Sequence, residues 1–275
     1  MLTVVLNALV ITTIWKDPFK NLKGIPNYLI LNLAVSDLLV GITAELLIVL
    51  CQWYHCEGLA KAADMSVHLG FYSSAMTQLV LAIARLIAVS YPLKMADYLT
   101  YSNLTLGILG IWFFAGLIAF LPELEWHSVF RNRVIIFDAI GIPILTLTVA
   151  CYAKMIFFLV KKDWHQDAER QRLTENARQK EMRKKRERKL IRCVAILVGL
   201  LIVCWVPRYV LANIALLGES RVIHDAITRW LFFLHPLVNP IAYSLCTRKF
   251  RRALWKIICR CNSAPPRCTI VQNIY

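Results

Sequence analysis

Asn239-Pro240-Ile241-Ala242-Tyr243 lies inside an apolar stretch and is followed at once by a basic, amphipathic run from Thr247 to Cys259. In lipid, a proline and a side-chain amide free backbone groups that must be re-satisfied within the protein, so this stretch reads as a moving part. Pro207 acts similarly on an earlier apolar stretch, deleting a backbone bond and kinking the helix with the Trp205 ring two residues away. Asp37 places a carboxylate in apolar surroundings, where it is costly unless compensated and so marks a functional position. This is the chemistry of recognition and motion. No nucleophile–base pair, metal-ligand cluster or phosphate-binding loop is recognisable, and the chain reads as a non-enzyme.

The elements that carry these residues are membrane helices. Hydrophobic residues make up 58% of the 275, and several runs approach or exceed the roughly 20 apolar residues needed to cross a hydrocarbon core of about 30 Å. Apolar stretches fall at about 1–15, 26–53, 59–91, 103–122, 133–160, 189–217 and 222–246, giving seven segments with the termini on opposite sides. The formal charge of +15 is unevenly placed: 26 of the 32 Lys and Arg follow segments one, three, five and seven or adjoin them. Lys61, Arg131, Arg133, Arg208, Arg221 and Arg229 are the other six. By the positive-inside bias, the N-terminus lies outside and the C-terminus in the cytoplasm. The charge sets topology and gives no reason to expect nucleic acid.

Segment one, Met1 to Trp15, provides about 22 Å of helix, short of the core thickness. An N-terminal portion is therefore expected to be missing, local thinning of the bilayer being the other reading. Asp17-Pro18 and Gly24-Ile25-Pro26 make the first inner loop a short turn, and the connection from Lys161 to Lys189 is expected to extend segments five and six as solvated helix. Phe250, Leu254 and Ile257/Ile258 recur at helical spacing opposite Arg248, Lys249, Arg251, Arg252 and Lys256. An eighth helix lying along the inner leaflet is the expectation, with Cys259 and Cys261 either palmitoylated or free cytosolic thiols. Of nine cysteines only Cys51 and Cys56 face outward, where they either close a small loop or stay unpaired. The fold class is all-α membrane: one seven-transmembrane helix bundle over 1–260, with its first helix truncated, and a disordered cytoplasmic tail over 261–275.

Taken in order, these features resemble the rhodopsin-like (class A) G-protein-coupled receptors over nearly the whole chain. The residues that carry the resemblance are Asn7; Leu33-Ala34-Val35-Ser36-Asp37; Arg85 with Ile87-Ala88-Val89-Ser90-Tyr91-Pro92-Leu93; Trp112; Pro143 and Tyr152; Cys204-Trp205-Val206-Pro207; and Asn239-Pro240 with Tyr243. The departures are specific. Ala84 stands where the family has an acid before the segment-three arginine, and Leu86 where it has an aromatic. Pro143 and Tyr152 are nine apart where eight is usual, which leaves the register of segment five open. The usual outer cysteine of segment three is Ala60, and the loop after Pro122 has none. In this the chain is similar to the melanocortin, cannabinoid and lysophospholipid branch.

The resemblance implies roles at matching positions. Ser74 and Asn239 join Asp37 around a sodium ion and waters below Trp205; the alternative is a protonated Asp37 in an internal hydrogen-bond network. His235, where the family often has asparagine, offers a nitrogen that suits sodium less well. Arg85 pairs with Glu187 in the resting state or extends to headgroups, and without an acid at position 84 the resting state is weakly held, so raised basal signalling is expected. Agonist contact above Trp205 swings the cytoplasmic half of segment six about Pro207, while Pro240 and Tyr243 move inward and open a cleft for a heterotrimeric G protein. No cofactor is expected beyond the sodium ion.

For the ligand, Val67 stands where amine receptors of the family carry an acid, and Phe233 where opsins carry the retinal lysine. Arg208 and Arg229 project toward the outer cavity and favour a carboxylate or phosphate. Glu45 and Asp64 are near enough to neutralise them internally, with His68 as a polar wall. The expected protein is a multi-pass plasma-membrane receptor. Its partners are an outer small-molecule, lipid or peptide ligand, a heterotrimeric G protein and membrane lipids. The alternative is a signalling-incompetent heptahelical decoy or dimerisation partner of full-length receptors.

Overall fold

Helix accounts for nearly all of the backbone in the computed structural model, which describes residues 1–54, 57–91, 100–123, 129–170, 177–216, 234–244 and 247–259. The helices are α1 (Leu2–Lys16), α2 (Ile25–Tyr54), α3 (Glu57–Ser90), α4 (Tyr101–Phe120), α5 (Val129–Ile136) and α6 (Ile142–Arg170). They continue as α7 (Ala177–Leu216), α8 (residues 234–244) and α9 (Arg248–Cys259). Among the described residues, four helical stretches are long and apolar enough to cross a membrane: Ile25–Thr43, Lys61–Ser90, Tyr101–Phe120 and Val134–Lys161. Leu2–Lys16 and Val198–Ile214 are shorter apolar helices. The helices follow the expected segments, the seventh being described over 234–244 alone.

The loop between α1 and α2 is a built turn. Asp17 ends α1 in the left-handed region at φ 31°, and its buried carboxylate accepts from the backbone N–H groups of Asn21 (3.0 Å) and Leu22 (3.1 Å). Asn27 donates back to the Leu22 carbonyl at 2.8 Å. Pro26 occupies the first turn of α2, where its missing N–H costs no helical bond. Thr100 caps α4 by accepting from the Asn103 N–H.

Helix α3 is the axis of the bundle, packing on α2, α4 and α6. It approaches α2 closely at Gly70, where an added Cβ would lie 2.6 Å from Val40 Cγ2 and 3.0 Å from the Ser36 carbonyl oxygen. The missing side chain lets the two backbones approach as small residues do in membrane bundles. Just below that crossing, Asp37 and Ser74 meet.

Helices α5 and α6 are joined by a π-helical turn, Phe137–Gly141. Pro143 cannot donate to the carbonyl one turn above it, and a wider turn accommodates that break. Because the wide turn precedes Pro143, the helix from there to Tyr152 is regular. Tyr152 is buried, packed with Ala82, Met155 and Leu159, so the nine-residue spacing still delivers it to the inward face.

Helix α6 runs on to Arg170 and α7 begins at Ala177, so most of the basic connection is helical, as the composition suggested. Pro207 lies inside α7. After α8, α9 docks through Phe250 against a core that includes Val10, Ile14, Leu33, Leu81 and Tyr243, with Ala253 also buried. Arg251 donates to the Ser244 carbonyl at 3.1 Å, and the Lys256 ammonium sits 4.8 Å over the Phe19 ring. Trp255 and Ile258 stay exposed on the opposite face, and Cys259 closes the helix half-buried.

Candidate functional site

Asp37 is fully buried, and both its oxygens are engaged. Ser74 donates to Oδ1 at 2.8 Å from α3, and Asn239 Nδ2 donates to Oδ2 at 2.7 Å from α8. The carboxylate thus ties three helices together. Asn239 Oδ1 in turn accepts from Gln78 Nε2 at 3.2 Å, and the same Gln78 amide lies 3.0 Å from His235 Nε2. Since Gln78 Nε2 can only donate, His235 Nε2 must accept. The chain Gln78–Asn239–Asp37–Ser74 is continuous and buried.

Flanking bonds brace it. Asn7 Nδ2 donates to the carbonyls of Thr3 (3.0 Å) and Pro236 (3.1 Å), holding α1 to α8. Asn32 donates to Thr77 at 2.8 Å and accepts from Trp112 Nε1 at 2.9 Å, joining α2, α3 and α4, while Ser36 and Ser73 lie 2.7 Å apart. A cavity of about 20 Å³ opens beside Gln78, lined also by Tyr152, Cys204, His235, Asn239 and Tyr243. That is room for about one water, with polar groups on its wall.

The donor set decides whether sodium fits this arrangement. Hard cations of this kind are held by about six oxygen ligands. Asp37 and Ser74 present oxygens, but Asn239 turns its NH₂ toward the carboxylate and its oxygen toward Gln78, and His235 offers nitrogen. As arranged, these residues do not make an oxygen cage.

Above this network sits an aromatic stack. The Trp205 ring is stacked on Phe137 with centroids 5.7 Å apart, lies 4.8 Å from Phe71 and meets His235 edge-on at 5.9 Å. Gly141 gives Trp205 its room, since a Cβ there would come within 3.3 Å of the indole. The Arg208 guanidinium lies 4.4 Å over Phe137 and 4.9 Å over Phe71, geometry suited to cation–π attraction. Asp64 is close enough to act on that guanidinium electrostatically. His68 Nδ1 lies 2.7 Å from the Asp64 carbonyl oxygen and 3.9 Å from its carboxylate, and Val67 is half-buried between them.

At the end of α3 that meets α9, Ala84 is buried in the same core as Leu81, Tyr243 and Phe250. The neighbouring Arg85 is half-buried, Pro240 is buried, and Pro207 faces outward on α7. The side chains of Glu45, Cys51 and Glu187, and all of Cys56, Arg229, Phe233 and Cys261, lie outside the described residues.

Sequence reading missed Gln78, Phe71 and Phe137. An amide within an apolar helix is the signal that pointed to Gln78; for the two phenylalanines, indistinguishable from core residues, no signal existed. It also missed Asp138, an intramembrane acid on the π turn with Asn213 beside it, which the cost of charge in lipid should have flagged.

The chain as a whole is similar to known proteins. Over 287 aligned positions the chain is 26% identical to somatostatin receptor type 4 of Rattus norvegicus, an alignment covering 93% of this chain and 69% of that receptor. The family model of the 7 transmembrane receptor (rhodopsin family) matches residues 6–243. With that span taking in Asn7, the buried Asp37 network, the Trp205 stack and Tyr243, the chain belongs to the rhodopsin-like family of seven-transmembrane receptors.

Proposed function

We propose that the chain transmits the binding of an outer-side ligand to a heterotrimeric G protein through movement of α7 and α8. The observation that supports this best is vertical continuity. Trp205 touches His235, His235 meets Gln78, and Gln78 reaches Asn239, one residue before Pro240 and four before Tyr243. A ligand that displaces the Trp205 ring therefore disturbs the hydrogen bonds that hold α8 against α3. Pro207 and Pro240 give both helices a place to bend. A shift between two packings, each favoured by a different partner, is how such a bundle transmits binding.

The ligand carries an anionic group in this reading. Arg208 is the cation that the stacked rings hold at the top of the site, and a carboxylate or phosphate is the group its planar fork matches. Val67 offers no acid for an amine. The rat relative is named for somatostatin; at 26% identity the outer-site residues here have to be read on their own. The N-terminus lies outside the plasma membrane and the C-terminus in the cytoplasm, following the basic residues.

The deciding experiment measures surface expression together with guanine-nucleotide exchange in cells or membranes carrying the chain. Exchange above that of mock membranes, with or without an added carboxylate or phosphate ligand, is the expected result. Surface expression with no exchange on any G-protein class would leave the decoy or dimerisation reading.

A further inference from the structure

Gln78 sits where α3 passes α8, inside the membrane, and its amide NH₂ has two acceptors, His235 Nε2 and Asn239 Oδ1. That second bond fixes which way the Asn239 amide faces. With its oxygen held by Gln78, Asn239 can present only its NH₂ to Asp37, and it does so at 2.7 Å. Ser74 supplies the other donor at 2.8 Å. Both carboxylate oxygens are thus met by protein donors, in a place that is fully buried.

We propose that Gln78 takes the place of a cation in this chain: by orienting Asn239 it makes the Asp37 site independent of sodium. For a sodium ion to enter beside Asp37, Asn239 would have to turn its oxygen inward. Its NH₂ would then face the Gln78 NH₂, donor against donor, unless Gln78 also turned and His235, which accepts at Nε2 in the present arrangement, moved its proton to that nitrogen. Entry therefore requires Asn239, Gln78 and His235 to rearrange together, and a buried amide left unmet by any one of them is costly. The inference concerns the Asp37 site alone and does not depend on which ligand or G protein the chain uses.

The test is the thermal melting of the full chain in detergent, in sodium chloride and in choline chloride at equal ionic strength. The wild-type chain melts at the same temperature in both. Gln78→Glu is nearly isosteric and, ionised at a pH well above the buried carboxyl's range, has no donors; Asn239 then turns its NH₂ to the new carboxylate and its oxygen to Asp37, and a cation is needed between the two oxygens. That variant is stabilised by sodium over choline, with a saturable rise of several degrees. Gln78→Leu, which releases Asn239 to turn either way, shifts in the same direction by less. A wild-type chain stabilised by sodium in a saturable way overturns the proposal, and that arm needs no variant to fold. So does a wild type and both variants that are all indifferent to sodium, since Gln78 would then not be what excludes the ion.

Discussion

Asn239 donates to Asp37 at 2.7 Å across 202 residues of chain, and this bond closes α8 onto α2 in the middle of the bundle. It is the point where the deformable stretch before Tyr243 meets the buried carboxylate.

Asn239→Ala removes that donor and the acceptor of Gln78 together. A buried oxygen and a buried amide hydrogen then lose partners, at about 1–3 kcal/mol for each group left unmet. The expected result is a melting temperature several degrees lower in detergent, without loss of helical circular dichroism at low temperature. An unchanged melt would show that the bond contributes nothing.

Gly70→Ala pushes a methyl into Val40 and the Ser36 carbonyl. Overpacking of this sort costs about 1–3 kcal/mol. Part of the clash is with a side chain, so adding Val40→Ala should recover part of the loss, giving a non-additive double-mutant cycle. Strict additivity of the two melting shifts would place the strain elsewhere.

Ala84 is buried beside Tyr243 and next in sequence to Arg85, where an acid would restrain the arginine. Ala84→Asp is expected to lower ligand-free nucleotide exchange severalfold, and Glu187→Ala to raise it. If both leave exchange at the wild-type level with equal surface expression, neither position governs the resting state.

Arg208→Ala strips the cation from above Phe71 and Phe137. A charge-assisted hydrogen bond to an anionic agonist contributes about 1.5–3 kcal/mol, so potency should fall at least about tenfold. Arg208→Lys keeps the charge but not the planar fork and should fall in between. Arg229→Ala is the parallel test at the second guanidinium; a carboxylate agonist equally potent on the alanine variants of both positions rules out the anionic reading.

Cys259 is the last residue of α9. Metabolic labelling with a palmitate analogue should mark the wild-type chain, less so Cys259→Ser, and not at all the double variant with Cys261→Ser. The helix itself should stay membrane-bound in every case, since its apolar face and basic flank suffice for interfacial binding. Equal labelling of all three proteins would place the acyl chain on other residues.

Much of this was legible in the chain itself. Hydropathy runs and the one-sided basic residues gave the helices and their order, because the cost of an unpaired backbone group in lipid leaves few other structures open. Asp37, Trp205, Pro207, Asn239 and Tyr243 announced themselves because a polar group or a proline in an apolar run needs a reason. That Ser74 and Asn239 gather around Asp37, with a sodium ion between them, was an expectation from the family resemblance; in the structure the two side chains hydrogen-bond to the carboxylate directly. What only the tertiary structure decided was direction. Whether Asn239 turns its oxygen or its NH₂ to Asp37 depends on Gln78, 161 residues away in the chain, and whether Arg208 meets rings depends on Phe71 of α3 and on Phe137 in the π turn that precedes α6. Spacing along one helix fixes which face a residue occupies. It cannot fix which neighbour fills the facing gap, because that is settled by the packing of helices whose contacts are distant in sequence.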